Sequence, residues 1–83
     1  MKKIFLITGA KGQDGLILSD ILIKRGHKVF GIIKKKKYPN SVEKVKYFKL
    51  DLLKKKQISN LLSKTKPDVV IHFGSSNPSY HEL

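Results

Sequence analysis

The sequence predicts an α/β fold in which a doubly wound parallel sheet carries helices on both faces, and three observations predict it. Apolar runs of strand length occur four times, at residues 4–7, 27–33, 45–50 and 68–73. Apolar residues at helical spacing occur in two intervening segments, 16–25 and 53–64. Three glycines stand directly between the first run and the first helical segment, where a strand must turn into a helix.

These elements give the order β-α-β-β-α-β. A strand, a helix and a strand in succession form a right-handed unit with parallel strands. We expect the strand order 3-2-1-4, with the crevice between the first and fourth strands as the switch point where ligands bind. The partial alternation of residues 45–50 places the third strand near an edge. The fourth strand, 68–73, is expected to leave an open apolar edge, which makes the chain marginally stable.

Each element has a local reason in the sequence. The unbroken apolar run Ile4–Ile7 is typical of a strand that is covered on both faces. Gly26 stands where a left-handed residue ends the first helix. The second strand, 27–33, is rich in β-branched and aromatic residues. Pro39 and Asn40 indicate a turn before the third strand, and Pro67 stops the second helical segment.

The three glycines have distinct physical roles. Gly9 is expected to turn the chain tightly out of the strand. Gly12 lacks a Cβ, which would let a pyrophosphate approach the backbone, and Gly15 would let the helix pack closely on the strand. The spacing here is Gly-x-x-Gly-x-x-Gly, whereas the dinucleotide-binding fingerprint is Gly-x-Gly-x-x-Gly. An ordinary strand–turn–helix, in which the glycines only end the strand and form the turn, therefore remains the alternative. A P-loop is excluded, because no Gly-Lys-Ser/Thr follows at the required spacing.

The segment Thr8-Gly9-Ala10-Lys11-Gly12-Gln13-Asp14-Gly15 resembles the opening of the extended short-chain dehydrogenase/reductase family, whose members are NAD-dependent epimerases and dehydratases. Its Gly-Gln-Asp-Gly is most like the GDP-mannose 4,6-dehydratase branch, and the resemblance runs from residue 3 to about residue 77. It implies a partial Rossmann-type dinucleotide-binding domain over residues 1–83, acting on a sugar nucleotide in a homo-oligomeric parent enzyme. The cofactor-binding residues that it implies here are Thr8, Gly9, Gly12, Gln13, Asp14 and Gly15.

The residues after the second strand bear on the choice between NAD and NADP. A carboxylate there would bind the adenosine ribose of NAD, whereas a basic residue would accommodate the 2′-phosphate of NADP. The strand runs into four consecutive lysines, and no acidic residue occurs before Glu43. We therefore predict NADP rather than NAD, with Lys34 and Lys35 at the phosphate. In the dehydratase branch this place usually carries Arg-Arg, and lysine keeps the charge without the planar fork. A solvated loop or an RNA-binding patch is the alternative.

Two further stretches match the family at strand ends. Asp51 and Leu52 follow the third strand, where the resemblance places an Asp-Leu pair beside the adenine. Alternatively, Asp51 simply caps the second helix. Phe73, Gly74, Ser75 and Ser76 follow the fourth strand, where the family contacts the nicotinamide-side ribose and the pyrophosphate; a simple small-residue loop is the alternative. The dehydratase branch tends to continue with Gln-Ser-His-Val, whereas this chain has Ser76-Asn77-Pro78-Ser79. This departure leaves the sugar nucleotide open.

The net charge of +12 and the pI near 10.1 raise the alternative of a small nucleic-acid-binding domain. The positive charge is nearly all lysine, spread over every segment, with Arg25 as the one arginine. Surfaces that read bases favour arginine, so a nucleic-acid partner is disfavoured.

The chain has no cysteine and no apolar run of membrane-spanning length. We expect a soluble cytoplasmic protein without a metal site, in which His72 is a strand-end residue.

The family performs its chemistry with a Tyr-x-x-x-Lys pair and a nearby Ser or Thr. None of Tyr38, Tyr47 and Tyr80 has a lysine four places later, so no catalytic residue is assigned. We expect the amino-terminal, NADP-binding part of a sugar-nucleotide 4,6-dehydratase that is inactive by itself. An epimerase or reductase of the same family and a non-catalytic dinucleotide-binding module are the alternatives.

Overall fold

The computed structural model describes residues 2–34, 41–51 and 53–73, and the backbone of 79–82. In chain order the elements are β1 Ile4–Thr8, α1 Gln13–Lys24, β2 Lys28–Ile33, β3 Lys46–Lys49, α2 Lys55–Thr65, β4 Val69–His72 and β5 Ser79–Glu82. The strands form one sheet in the order β3-β2-β1-β4-β5. The pairs β1–β2, β1–β4 and β2–β3 are all parallel. The predicted order 3-2-1-4 is therefore confirmed.

The fifth strand corrects the expected edge of the sheet. β5 pairs antiparallel with β4, with Val69 opposite Glu82 and His72 opposite Ser79. The prediction that the fourth strand would be an open edge is wrong, and the sheet is parallel only in its first four strands. An antiparallel partner needs only a short reversal of the chain. The pairing is carried by backbone groups of β4 that would otherwise be exposed, so it left no apolar pattern in the sequence.

The sheet buries both faces, and neighbouring residues of one strand point to opposite helices. Ile7 packs in the cluster that includes Leu22 of α1, whereas Leu6 packs with Leu61 of α2. The relative exposure of Ile7 is 0% and that of Leu6 is 2%. This two-sided burial explains why the first strand is an unbroken apolar run rather than an alternating one.

The helix starts differ from the predicted ones by two or three residues, and the helix ends differ by one. α1 begins at Gln13 rather than at residue 16, so the last glycine of the motif lies inside the helix. Its predicted end is confirmed, since Gly26 has a φ of +87° and its N–H donates to the carbonyl of Ile23 at 3.0 Å. α2 is followed by Lys66 in the left-handed region, with a φ of +48°.

Candidate functional site

The candidate site lies at the carboxyl ends of the parallel strands. β1 pairs with β2 on one side and with β4 on the other. The strands after β1 are first added on one side of it, as β2 and β3, and then on the other side, as β4, so the strand order switches between β1 and β4. Open α/β sheets bind ligands at such a switch point. The turn formed by residues 9–12 leaves β1 here and leads directly into α1.

Gly9 makes the tight turn that the sequence predicts. Its φ is +62°, a region that side-chain-bearing residues rarely adopt, and its carbonyl accepts the N–H of Gly12 at 3.0 Å. A Cβ at this position would also overlap the carbonyl group of Phe73. Gly9 therefore both turns the chain and lets the end of β4 approach the turn.

Gly15 allows close packing, but its partner is not the one expected. A Cβ at Gly15 would lie 2.5 Å from the carbonyl oxygen of Gly9 and 2.8 Å from the backbone of Ala10. At Gly15 the start of the helix therefore packs on the glycine turn itself rather than on the strand. By contrast, a Cβ at Gly12 would meet one atom within 4 Å among the described residues, the oxygen of Gly9 at 3.3 Å. Gly12 is exposed, so the space beside its backbone is open.

The first turn of α1 presents backbone donors at the switch point. Gly12 is the N-cap and provides no side-chain capping bond, and the N–H of Leu16 donates to the carbonyl of Gly12 at 2.9 Å. The three N–H groups before Leu16 belong to the helix end that has no intrahelical acceptor. Gln13 and Asp14 are exposed, and Asp14 is the acidic residue of this turn. Such a helix start attracts an anion through its donors and its dipole.

Thr8 lies at the site, but its hydroxyl group contacts residues at the end of β4. It is 2% exposed, and its hydroxyl oxygen accepts the N–H of Phe73 at 3.2 Å and lies 3.3 Å from Nδ1 of His72. The same N–H of Phe73 also donates to the carbonyl of Thr8 at 3.1 Å. Thr8 thus joins the ends of β1 and β4 and holds Phe73 beside the glycine turn.

A second part of the site is an open groove beside the ends of β2 and β3, with a volume of about 690 Å³. Its described lining residues are Lys34, Lys49, Leu50, Asp51, Leu53 and Gln57, and we call it the Lys34–Asp51 groove. Lys34 and Asp51, predicted separately from two strand ends, therefore share one groove. Leu53 is 88% exposed at its rim, and Leu50 is half-buried.

Asp51 does not cap the second helix. The N-cap of α2 is Lys54, which makes no side-chain capping bond. Instead, Oδ1 of Asp51 accepts the N–H of Leu53 at 2.9 Å, and its carbonyl accepts the N–H of Lys54 at 3.0 Å. This is a local Asx turn. The capping alternative is therefore wrong, because the helix begins four residues after Asp51, beyond the reach of its side chain. Among the described residues, Oδ2 has no hydrogen-bond donor.

The sequence interpretation missed Gly31, a residue of β2 that lies against the glycine turn. A Cβ there would lie 2.6 Å from Cβ of Ala10 and 2.8 Å from the ring of Tyr47. Gly31 therefore lets the glycine turn cross over β2, where the N–H of Ala10 donates to the carbonyl of Ile32 at 3.3 Å. The signal was present, because a glycine inside a strand indicates the close approach of another group.

Tyr47 and Lys11 were also missed. Nζ of Lys11 lies 4.6 Å from the centroid of the Tyr47 ring, a cation–π contact. The hydroxyl of Tyr47 accepts the N–H of Val42 at 2.9 Å. Tyr47 thus links the glycine turn to the segment that precedes β3. No local pattern could reveal this pair, since 36 positions separate Lys11 from Tyr47 in the chain.

Five predicted site residues lie outside the described residues: Lys35, Leu52, Gly74, Ser75 and Ser76. The structure therefore brings together the glycine turn and Phe73 at the switch point, and Lys34 with Asp51 in the groove.

Within the described ranges, no group of three His, Asp or Glu side chains could hold a metal ion. Neither helix in those ranges has the length and apolar character needed to cross a membrane.

The strand order, the glycine turn at the switch point and the helices on both faces define a Rossmann-type domain. It is similar to the Bordetella bronchiseptica enzyme WbmH, solved in complex with NAD+, with a TM-score of 0.77 and 25% identity over 93% of this chain and 27% of that one. It is also similar in fold to UDP-glucose 4-epimerase with UDP-glucose from Thermotoga maritima, with a TM-score of 0.80 and 21% identity over 88% of this chain and 24% of that one.

The sequence pattern of the GDP-mannose 4,6 dehydratase family matches residues 6–78, and the chain belongs to this family. It is 33% identical over 91 residues to the enzyme of that name from Dictyostelium discoideum, and 32% identical over 89 residues to one from Vibrio cholerae serotype O1. The match covers 92% of this chain, but 26% and 24% of those two relatives. The predicted resemblance to the amino-terminal part of these enzymes is confirmed.

Proposed function

We propose that this chain is the NADP-binding part of a sugar-nucleotide 4,6-dehydratase that acts on GDP-mannose. The observation that carries the proposal is that two parts of the site lie at the same edge of the sheet. The uncapped start of α1 and the Lys34–Asp51 groove both lie at the carboxyl ends of the strands. Together they offer donors for a pyrophosphate and a basic groove for an adenosine.

The pyrophosphate is assigned to the turn between Gly9 and Gly15. Gly12 is exposed, and its missing side chain leaves the approach to the backbone open. The free N–H groups of the first helical turn would donate to the phosphate oxygens, and the helix dipole adds a favourable field. Asp14 and Gln13 border this position from the same turn.

The adenosine is assigned to the Lys34–Asp51 groove. Leu50 and Leu53 supply apolar surface for the base, and Oδ2 of Asp51 would accept the adenine amino group while Oδ1 remains bound to the N–H of Leu53. Lys34, which directly follows β2, would face the 2′-phosphate that distinguishes NADP from NAD. In this proposal the base and the phosphate occupy opposite ends of one groove.

The nicotinamide half is assigned to the end of β4. Phe73 is held there by the N–H contacts to Thr8, and Gly74, Ser75 and Ser76 follow it in the sequence. The bound cofactor would supply the hydride acceptor for a sugar carbon. In the proposal this chain binds and orients the cofactor. The family's Tyr-x-x-x-Lys pair does not occur in the 83 residues, so we expect the chain by itself not to convert GDP-mannose.

The test is a calorimetric titration of the 83-residue chain with NADPH and, separately, with NADH. We expect tighter binding of NADPH, and we expect Lys34→Asp/Lys35→Asp to abolish that preference. Lys2→Asp/Lys3→Asp is the matched control, because it makes the same charge change beside the amino end of β1. The control should retain the preference for NADPH.

Other outcomes would overturn the proposal. A folded chain that binds neither dinucleotide would contradict a cofactor site. Binding to any RNA or DNA with a steep dependence on salt would then favour the nucleic-acid alternative. Equal binding of NADPH and NADH would contradict the NADP assignment while leaving the dinucleotide site in place.

A further inference from the structure

We infer that Lys49, at the end of β3, is a second lysine that recognises the 2′-phosphate and sets the preference for NADP over NAD. The inference rests on the proposed function, since it concerns the specificity of the same groove. It differs from the sequence prediction, which paired Lys34 with the next residue in the chain, Lys35.

The pairing of β2 with β3 brings Lys49 to the same edge of the sheet as Lys34. Ile33 stands opposite Lys49 in the parallel ladder, and the N–H of Leu50 donates to the carbonyl of Ile33 at 3.1 Å. Lys34 directly follows Ile33, so the two lysines occupy the ends of neighbouring strands, which lie about 5 Å apart. Both side chains are exposed and both line the Lys34–Asp51 groove.

The charges in the groove are not balanced. Within the described residues, no ion pair involves Lys34 or Lys49, so neither has a carboxylate within 4 Å there. Asp51 is the single acidic residue among the described side chains that line the groove. A phosphate monoester carries nearly two negative charges at pH 7 and therefore suits two ammonium groups. The ribose hydroxyl of NAD offers no such charge.

Lys46, at the other end of the same strand, provides a contrast. Its Nζ lies 5.8 Å from the ring centroid of Phe48, and it lines a separate groove with Lys28 and Lys64. Lys46 and Lys49 share the strand, the residue type and the exposure class. Lys46→Gln therefore makes the same chemical change away from the Lys34–Asp51 groove, which makes it a matched control.

The experiment measures the binding of adenosine 2′,5′-bisphosphate and of adenosine 5′-monophosphate to the 83-residue chain by calorimetry. Loss of a hydrogen-bonded charge predicts that Lys49→Gln weakens binding of the bisphosphate about tenfold and leaves binding of the monophosphate unchanged. Lys49→Arg keeps the charge and should retain the preference. Lys46→Gln should behave as the unaltered chain, and circular dichroism verifies that each variant is folded.

An unchanged ratio of the two affinities in Lys49→Gln would overturn the inference. If Lys34→Gln lowers that ratio in the same experiment, the proposed function stands and only the role of Lys49 fails. Equal affinity of the unaltered chain for the two nucleotides would instead overturn the proposed preference for NADP, and the inference with it.

Discussion

The N–H of Phe73 is shared between two acceptors of Thr8, the hydroxyl oxygen at 3.2 Å and the carbonyl oxygen at 3.1 Å. This contact joins the carboxyl ends of β1 and β4, the two strands that flank the switch point. It also holds the carbonyl of Phe73 against Gly9, where no Cβ would fit. The geometry of the glycine turn therefore depends on a residue 64 positions later in the chain.

Thr8→Val removes the hydroxyl and keeps the shape and the β-branching of the side chain. We expect the free energy of unfolding to fall by about 1 kcal/mol, the usual net value of a hydrogen bond. Urea unfolding followed by circular dichroism measures it. Thr8→Ser, which keeps the hydroxyl, is the control and should retain the contact to Phe73. A valine variant as stable as the unaltered chain would contradict this role of Thr8.

We expect substitution of Gly15 to impair folding and substitution of Gly12 to impair cofactor binding. A Cβ at Gly15 would lie 2.5 Å from a backbone oxygen that cannot move independently, so Gly15→Ala should greatly destabilise the chain. A Cβ at Gly12 has one contact, at 3.3 Å, so Gly12→Ala should fold and yet weaken NADPH binding by obstructing the pyrophosphate. Unfolding curves and calorimetry on both variants provide the measurement. Full NADPH affinity in Gly12→Ala would contradict the proposed phosphate position.

Gly31→Ala should destabilise the chain by about 1–3 kcal/mol, as for an overpacked core, because the new methyl group would lie 2.6 Å from Cβ of Ala10. The cost should be smaller in the double variant Gly31→Ala/Ala10→Gly, where that methyl group is absent. A double-mutant cycle of unfolding free energies measures this coupling. Strictly additive effects would mean that Gly31 does not support the turn through Ala10.

Two buried hydroxyl groups should respond oppositely to removal. Oγ of Ser19 is buried on α1 and has no hydrogen-bond partner among the described residues. Ser19→Ala should therefore stabilise the chain by about 1 kcal/mol, through helix propensity and relief of an unsatisfied group. Oγ1 of Thr65 donates to the carbonyl of Leu61 at 2.8 Å, so Thr65→Val should destabilise it. Thermal unfolding of the two variants compares them. Destabilisation by Ser19→Ala would show that the hydroxyl has a partner after all.

Much of the site followed from where strands end. Lys34 and Asp51 were assigned from separate strand ends, and the structure places both in one groove, because parallel neighbours bring their carboxyl ends to the same edge. Gly9 was also predictable, since a strand that turns directly into a helix needs a residue that tolerates positive φ. The capping alternative for Asp51 failed because helix bounds depend on contacts that local propensity does not contain.

The sequence by itself determined the order of the elements and the position of the glycine turn, because hydrophobic periodicity and glycine spacing are local properties. The strand order 3-2-1-4 followed from the doubly wound class that this order of elements indicates. Only the tertiary structure decided that β5 covers the edge of β4, that Gly31 accommodates Ala10 and Tyr47, and that Lys49 lines the same groove as Lys34. The residues around Gly31, and Lys34 and Lys49, lie 15 or more positions apart in the chain, whereas β5 pairs with β4 through backbone groups. These relationships arise from backbone pairing and close packing, which depend on strand register, and register is set only when the sheet assembles.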